Sequence, residues 1–424
     1  MTLDDALAKR FIDAKDKLAE EVANLFGRVA DDSAGRLFAV MRDHKPIIAT
    51  DDLAIVALAA DVKEVLSDPA RFTVGLYGPK MVAVTGPFIL GVDDTPLYRH
   101  DHAALDRAVR HADLPVIGDA MLGFARELVT GSGGAIDVVA ELADPALILA
   151  IDTYVGAPGP DAATQLRWAR EIFAELFLNV TNLVETRDVA LADAALWRPH
   201  LDRLIATRKA AVVAGEAVPD DVLTRLLGCQ DDGESQPSLH DISIRHNILG
   251  LVTGWIPTVS NSLARAVNVL LDREDQLALA QAAARAGDRE LVGRYVWEAL
   301  RFSPQNFAVL RLVAEETTIA AGTDRETVLK AGSTIVAATL SAMHDDRVVS
   351  RPGEFRVDRP WSDYMLFGHG LHTCYGQQIV RCQLPAMITA LLEGPRITRA
   401  PDHAGELKWT GAFPSGLTVR LDEH

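Results

Sequence analysis

The ten residues FGHGLHTCYG, 367–376, constrain this chain more than any other stretch. Glycines at 368, 370 and 376 let the backbone turn tightly and admit a bulky planar neighbour, because no Cβ stands in the way. Cys374 sits among them, ahead of a helical pattern that begins at Gln377. The unpaired N–H groups of a helix start favour negative charge, so a cysteine placed there is inclined to be a thiolate. Any fold that carries this loop must present one sulfur at a glycine-turned position. Two readings follow: Cys374 is an electron-rich ligand to a haem iron, or it is a buried structural cysteine in a tight turn.

Elsewhere the pattern is mostly helical. Apolar residues recur at three- and four-residue spacing over 3–26, 60–67, 97–110, 115–130, 140–155, 163–184, 193–213, 219–228, 239–271, 274–285 and 288–302. Ser238 and Asp241 are candidate caps for the longest of these. Strand patterns occur in PIIAT and LAIVAL near the start, in VLRLVAEETTIAAG and STIVAATL after residue 308, and in LTVRL at the end. Helices in the middle with small sheets from both ends predict one interleaved domain over 1–424, mainly α with small β-sheets (α+β), β-rich near 46–57, 308–340 and 408–421. GCQDDGESQPSLHD reads as a surface loop.

At 424 residues and 49% hydrophobic, the chain can enclose a cofactor. A formal net charge of −17 argues against a nucleic-acid surface. No stretch approaches the roughly 20 apolar residues that span a bilayer, and the N-terminal MTLDDALAKRF lacks a signal-peptide apolar run. Three cysteines, Cys229, Cys374 and Cys382, do not make a disulfide framework. The expectation is a cytoplasmic protein without a membrane anchor. Cys382 reads as core and Cys229 as part of the surface loop.

The full pattern F-G-x-G-x-H-x-C-x-G resembles the haem-binding signature of the cytochrome P450 superfamily, in its soluble, bacterial-type form. The resemblance implies the P450 fold, a triangular helical prism around a buried haem b. It makes Cys374 the axial thiolate and metal ligand, with Phe367, Gly368 and Gly376 beside the cofactor. EALR supplies Glu298 and Arg301, one helical turn apart and able to pair. In FRVDRP, Arg359 resembles the arginine that completes a buried, structural Glu–Arg–Arg network. Arg311, ten residues past Arg301, and His372, two before the cysteine, match the donors to haem propionates. DDTPLYRHDHAAL resembles the helix that begins D-x-P-x-H-x-x-x-R, with Tyr98 in place of its histidine and His102 in place of its arginine. Both can still donate to propionates; exposed polar helix residues are the alternative.

In this family a long helix carries [AG]-G-x-[DE]-T at the oxygen site, where the acid and threonine deliver protons. GWIPT, 254–258, places Gly254 and Thr258 in that pattern, with Trp255 at the second glycine and Pro257 at the acid. A register one residue earlier puts Ile256 at the acid and Pro257 at the threonine. Either way the acid is missing, and no carboxylate lies between Asp241 and Asp272. Pro257 strips the Thr253 carbonyl of its helix donor, at a cost of roughly 3 kcal/mol. It is expected to kink the helix and open a groove for dioxygen or peroxide; a packing kink, with water delivering protons, is the alternative.

Three functions compete. The first is a haem-thiolate monooxygenase hydroxylating a small-to-medium hydrophobic substrate with dioxygen. Its electrons would come from a separate ferredoxin and ferredoxin reductase, docking near Arg99, Arg107, Arg110 and Arg381. The second is a peroxygenase, or a hydroperoxide isomerase or lyase, which needs no redox partner and suits the missing acid. The third is a non-catalytic haem binder. Pocket walls are expected from Phe88, Val252, Ile256 and Phe307, with Asn179, Asn182 and Asn306 as polar candidates that equally suit surface or cap roles.

Overall fold

The structure, a computed structural model, describes residues 33–230 and 239–422. The expected helix 3–26, the Ser238 cap and most of the 228–241 loop lie outside the described residues. Contacts divide the chain into two compact units, each built from discontinuous segments: Met1–Leu76 with Trp297–Tyr375, and Tyr77–Val296 with Gly376–His424.

In the first unit the LAIV run, Leu53–Val56, is buried along its whole length, as an unbroken apolar strand inside a sheet must be. It pairs antiparallel with Ile47–Ala49 and parallel with Thr334–Ala337. Beyond it come Val309–Val313 and then Phe72–Thr73, completing a five-stranded sheet. Helix Ala59–Ser67 turns Ala59, Val62, Val65 and Leu66 inward, a helical period that packs with Phe72, Val313, Ile335 and Met343 in one apolar core. Thr317–Ile319 and Thr327–Leu329 form a separate hairpin. Helix Ser33–His44 was not marked by the sequence pattern.

The second unit is organised on helix Asp241–Leu271, 31 residues long and therefore about 46 Å from end to end. It is buried on most of its circumference, the mark of an interior helix. Its N-cap is His240, without a side-chain cap bond, and Asp241 instead opens the first turn, where its charge suits the helix dipole. Helix continues on both sides of Pro257, so the missing donor does not end it: its effect is local, and burial on either side holds the turn. Helix Leu114–Gly131 packs on Gln377–Leu392, and Cys382 of the latter lies against Gly118, the half-buried core position expected of it.

Two sequence boundaries move here. The helix expected to reach 184 ends in a π-helical turn at Leu178. There Asn179 accepts from the Leu183 N–H at 2.6 Å and Asn182 takes a positive φ of 57°, so both asparagines make a turn. The next helix starts at Val184, not 193, and continues past Pro199 to Val213. Cys229 is buried, its thiol donating to the Arg225 carbonyl, and is not a surface-loop residue. Two small sheets complete the unit. Thr418–Asp422 lies between Ala135–Asp137 and Arg396–Arg399, and Lys408–Thr410 pairs with Phe413–Gly416.

Candidate active site

The cysteine loop, in the first unit, is closed by its own backbone. The Cys374 N–H donates to the Phe367 carbonyl at 2.8 Å, and the Thr373 N–H to Gly370 at 3.1 Å. Gly368 and Gly370 have φ of 73° and 76°, which side chains rarely adopt. A Cβ on Gly370 would also sit 2.1 Å from the Leu66 carbonyl oxygen. Gly376 differs from expectation: at φ −75° it is an ordinary right-handed N-cap of Gln377–Leu392. Phe367 is pinned by Trp361 and Trp297, ring centroids 6.1 Å from each. The loop thus holds Cys374 exposed, with its backbone fixed. His372 is half-buried in the turn before it. Arg311 is buried on strand Val309–Val313 and donates to the Leu310 carbonyl at 2.8 Å. Phe307 packs on Phe38, centroids 6.1 Å apart.

In the same unit Glu298 is fully buried and surrounded by donors. Arg301 reaches both its oxygens at 2.8 and 3.0 Å, and Arg359 donates at 3.0 Å. The Arg356 N–H at 2.9 Å and the Tyr364 hydroxyl at 3.2 Å complete the set. Burial alone would raise the Glu298 pKa; Arg301, the Arg356 N–H and Arg359 together outweigh it and hold the group below its ordinary value. The network expected of Glu298, Arg301 and Arg359 is therefore formed; Tyr364 and the Arg356 backbone were not foreseen.

In the second unit, one stripe of the long helix stays partly open: Leu251, Gly254, Thr258 and Ser262, spaced three and four apart and so on one face. A Cβ on Gly254 would meet nothing within 4 Å. The Thr258 hydroxyl donates to the Gly254 carbonyl at 2.6 Å. Val252 and Ile256, two residues either side of Gly254, fall on the opposite face, because a helix turns about 100° per residue. Both are completely buried, while Leu251 and Ser262 are partly open. Phe88 keeps its place beside the helix, its ring filling the space left by the missing Cβ of Gly250.

Trp255 turns away from the open stripe. Its indole N–H donates to Gln383 Oε1 at 2.8 Å, and its ring meets Tyr154 edge-on at 6.4 Å. The Thr253 hydroxyl is buried without a hydrogen-bond partner, one residue before Gly254. Tyr98 is buried, and burial raises its pKa above the ordinary value. His102 contacts Asp106 at 3.0 Å on an exposed face. Of the arginines expected to draw a redox partner, Arg99 pairs with Asp94 and Arg110 with Asp220, so their charge is largely cancelled locally.

Each unit by itself carries parts that fit haem. In the first, a hydrogen-bonded loop presents an exposed Cys374, and Arg311 and His372 supply donors suited to carboxylate tails. In the second, His102 is a further such donor and Gly254 leaves one helix face clear of side chain. Fold and site together are those of a haem-thiolate oxidoreductase. The family model described as Cytochrome P450 matches residues 192–403, half of the 424-residue chain. The chain belongs to the cytochrome P450 family: it is a P450 monooxygenase that uses haem with a cysteine thiolate ligand, as that family does. Cyclomarin C epoxidase of Salinispora arenicola (strain CNS-205) is 26% identical over 364 residues, covering 83% of this chain and 86% of its own. Nocardicin C N-oxygenase of Nocardia uniformis subsp. tsuyamanensis is 26% identical over 389 residues, covering 86% and 90%. The crystal structure of CalO2 matches with a TM-score of 0.78 and 23% identity, over 94% of this chain and 98% of that one. Among the described residues no helix is long and apolar enough to cross a membrane.

Proposed function

We propose that this chain, acting as one domain, oxygenates a small-to-medium hydrophobic molecule with dioxygen and electrons from a separate ferredoxin-type partner in the cytoplasm. Cys374 ligates the iron, and Arg311, His372 and His102 hold the propionates, with Tyr98 beside them. When bound, haem supplies the centre at which dioxygen is activated and the substrate oxidised. The observation that carries this reading is the Thr258 hydroxyl, 2.6 Å from the Gly254 carbonyl on the open stripe. It supports the register with Thr258 at the threonine position. A hydroxyl there donates a proton and is resupplied by water, which serves oxygen activation without a neighbouring acid. Leu251, Phe88 and Phe307 form apolar substrate walls.

The absence of any carboxylate from 242–271 supports a second reading, in which peroxide or a hydroperoxide is the oxidant and no redox partner is used. Turnover of the haem-loaded enzyme with ferredoxin, reductase and dioxygen, set against turnover with peroxide alone, decides between them. Comparable or faster turnover with peroxide overturns the first reading; bleaching without product overturns the second. Cys374→Ser is expected to abolish the red-shifted ferrous–CO band of a thiolate ligand, and a retained band overturns the assignment of the cysteine.

A further inference from the structure

Trp255 stands where the family motif has a small residue, and the structure gives it a definite set of neighbours. All lie in the unit formed by Tyr77–Val296 and Gly376–His424. The indole is buried and donates to Gln383 Oε1 at 2.8 Å. The Tyr154 ring meets it at 6.4 Å and 70°. The Tyr154 hydroxyl donates in turn to Asp113 Oδ2 at 3.0 Å. Arg225 holds the same carboxylate at 2.5 Å and lies over the Tyr154 ring at 5.8 Å. Its other face pairs with exposed Asp220 at 2.7 Å. An aromatic pair thus leads from the residue beside Gly254 to a carboxylate near the surface.

We propose that Trp255 and Tyr154 are an oxidisable pair that draws oxidising equivalents off the haem when no substrate takes them, with Asp113 accepting the phenol proton. The proposal rests on the haem-thiolate reading above. Indole and phenol are the side chains most readily oxidised by one electron. Oxidised phenol is strongly acidic, so tyrosine gives up an electron easily only where a base already holds its hydroxyl hydrogen, and Asp113 does. In balance, each hydrogen peroxide takes two electrons and two solvent protons to become two waters, so the relay runs twice per peroxide, with Trp255 giving one electron towards the haem each time. Tyr154 then returns one electron to Trp255, and the Tyr154 O–H proton passes to Asp113. The phenoxyl radical is quenched by one electron from a thiol or ascorbate, with the proton going back from Asp113. Burial and Asp113 raise the Tyr154 pKa, so the phenol stays protonated at rest. Gln383 positions the indole through its N–H.

The test mixes haem-loaded, substrate-free enzyme with hydrogen peroxide and follows radicals by freeze-quench electron paramagnetic resonance and haem loss by absorbance. Wild type is expected to give a tyrosyl signal. Tyr154→Phe, which removes one hydroxyl and keeps the ring, is expected to lose that signal and to bleach several-fold faster. Asp113→Asn is expected to lower the tyrosyl yield at unchanged haem content. Trp255→Phe is expected to lose the tyrosyl signal as well, although its phenol is intact. An unchanged signal and bleaching rate in haem-loaded Tyr154→Phe overturns the relay alone. A wild-type protein that takes up no haem, shown by the ferrous–CO spectrum beforehand, overturns the reading on which the relay rests.

Discussion

At the level of single residues, the turn glycines 368 and 370 were legible from residue type, whereas the Glu298–Arg301–Arg359 network was legible only through the resemblance, because Glu and Arg one helical turn apart occur in many helices. Gly370 is needed twice, for a φ of 76° and for the 2.1 Å approach to the Leu66 oxygen. Gly370→Ala is therefore expected to strain the loop by about 1–3 kcal/mol and to lower the haem content of purified protein. Normal haem occupancy at an unchanged melting temperature would show that the loop yields instead. Gly376 looked the same in the sequence but has an ordinary φ; a glycine's letter does not reveal which conformation it adopts. At Glu298, replacing the carboxylate by an amide leaves Arg301 and Arg359 buried beside a neutral group. Glu298→Gln should lose about 3–5 kcal/mol in urea unfolding. The exposed Glu290–Arg294 pair is the comparison: Glu290→Gln should change stability by less than about 1 kcal/mol. Equal effects of the two changes would mean that the buried network does not stabilise the fold.

At the level of elements, the long helix was found within two residues of its observed start, because its apolar period is long and uninterrupted. What could not be read was the effect of Pro257. Proline predicts a lost hydrogen bond, but whether the helix breaks depends on burial around it, and burial comes from distant segments. The same limit applies to the pocket residues. Val252 and Ile256 are apolar by type, but which face of the helix stays open is set by rotation about its axis, and the partly open stripe is Leu251, Gly254, Thr258 and Ser262. The proline turn also contains the buried, unpartnered Thr253 hydroxyl. An orphaned buried hydroxyl destabilises by about 1–3 kcal/mol. Thr253→Val, of nearly the same shape, is expected to stabilise the protein by about 1 kcal/mol in the same unfolding measurement. A loss of stability would show instead that the hydroxyl is satisfied by a bound water in the turn.

At the level of the whole chain, long-range pairing is what the local pattern could only suggest. Leu53–Val56 pairs with Thr334–Ala337, and Ala135–Asp137 with Thr418–Asp422. Such contacts make stability a property of distant segments together, so buried titratable groups act on all of a unit at once. His344 is the clearest case. Burial, with Arg301 nearby, lowers its pKa from 6.5 to about 4, while its ring nitrogen meets the Leu340 carbonyl at 3.0 Å. The folded protein therefore keeps this imidazole neutral where the unfolded chain would protonate it. Its contribution is complete above pH 6.5 and is lost as pH falls towards 4. By pH 5 that loss is about 2 kcal/mol. His246, lowered to about 4 by burial and by Arg245 and Arg198, adds in the same direction but less, because it is half exposed. The net charge of −17 opposes both, since protonating carboxylates relieves repulsion in the compact state. Comparison with His344→Gln isolates the histidine from that background. The variant is expected to lose about 2 kcal/mol less than wild type between pH 7.5 and 5. Parallel pH profiles for the two proteins would show that His344 gains its proton in the fold as easily as in the unfolded chain.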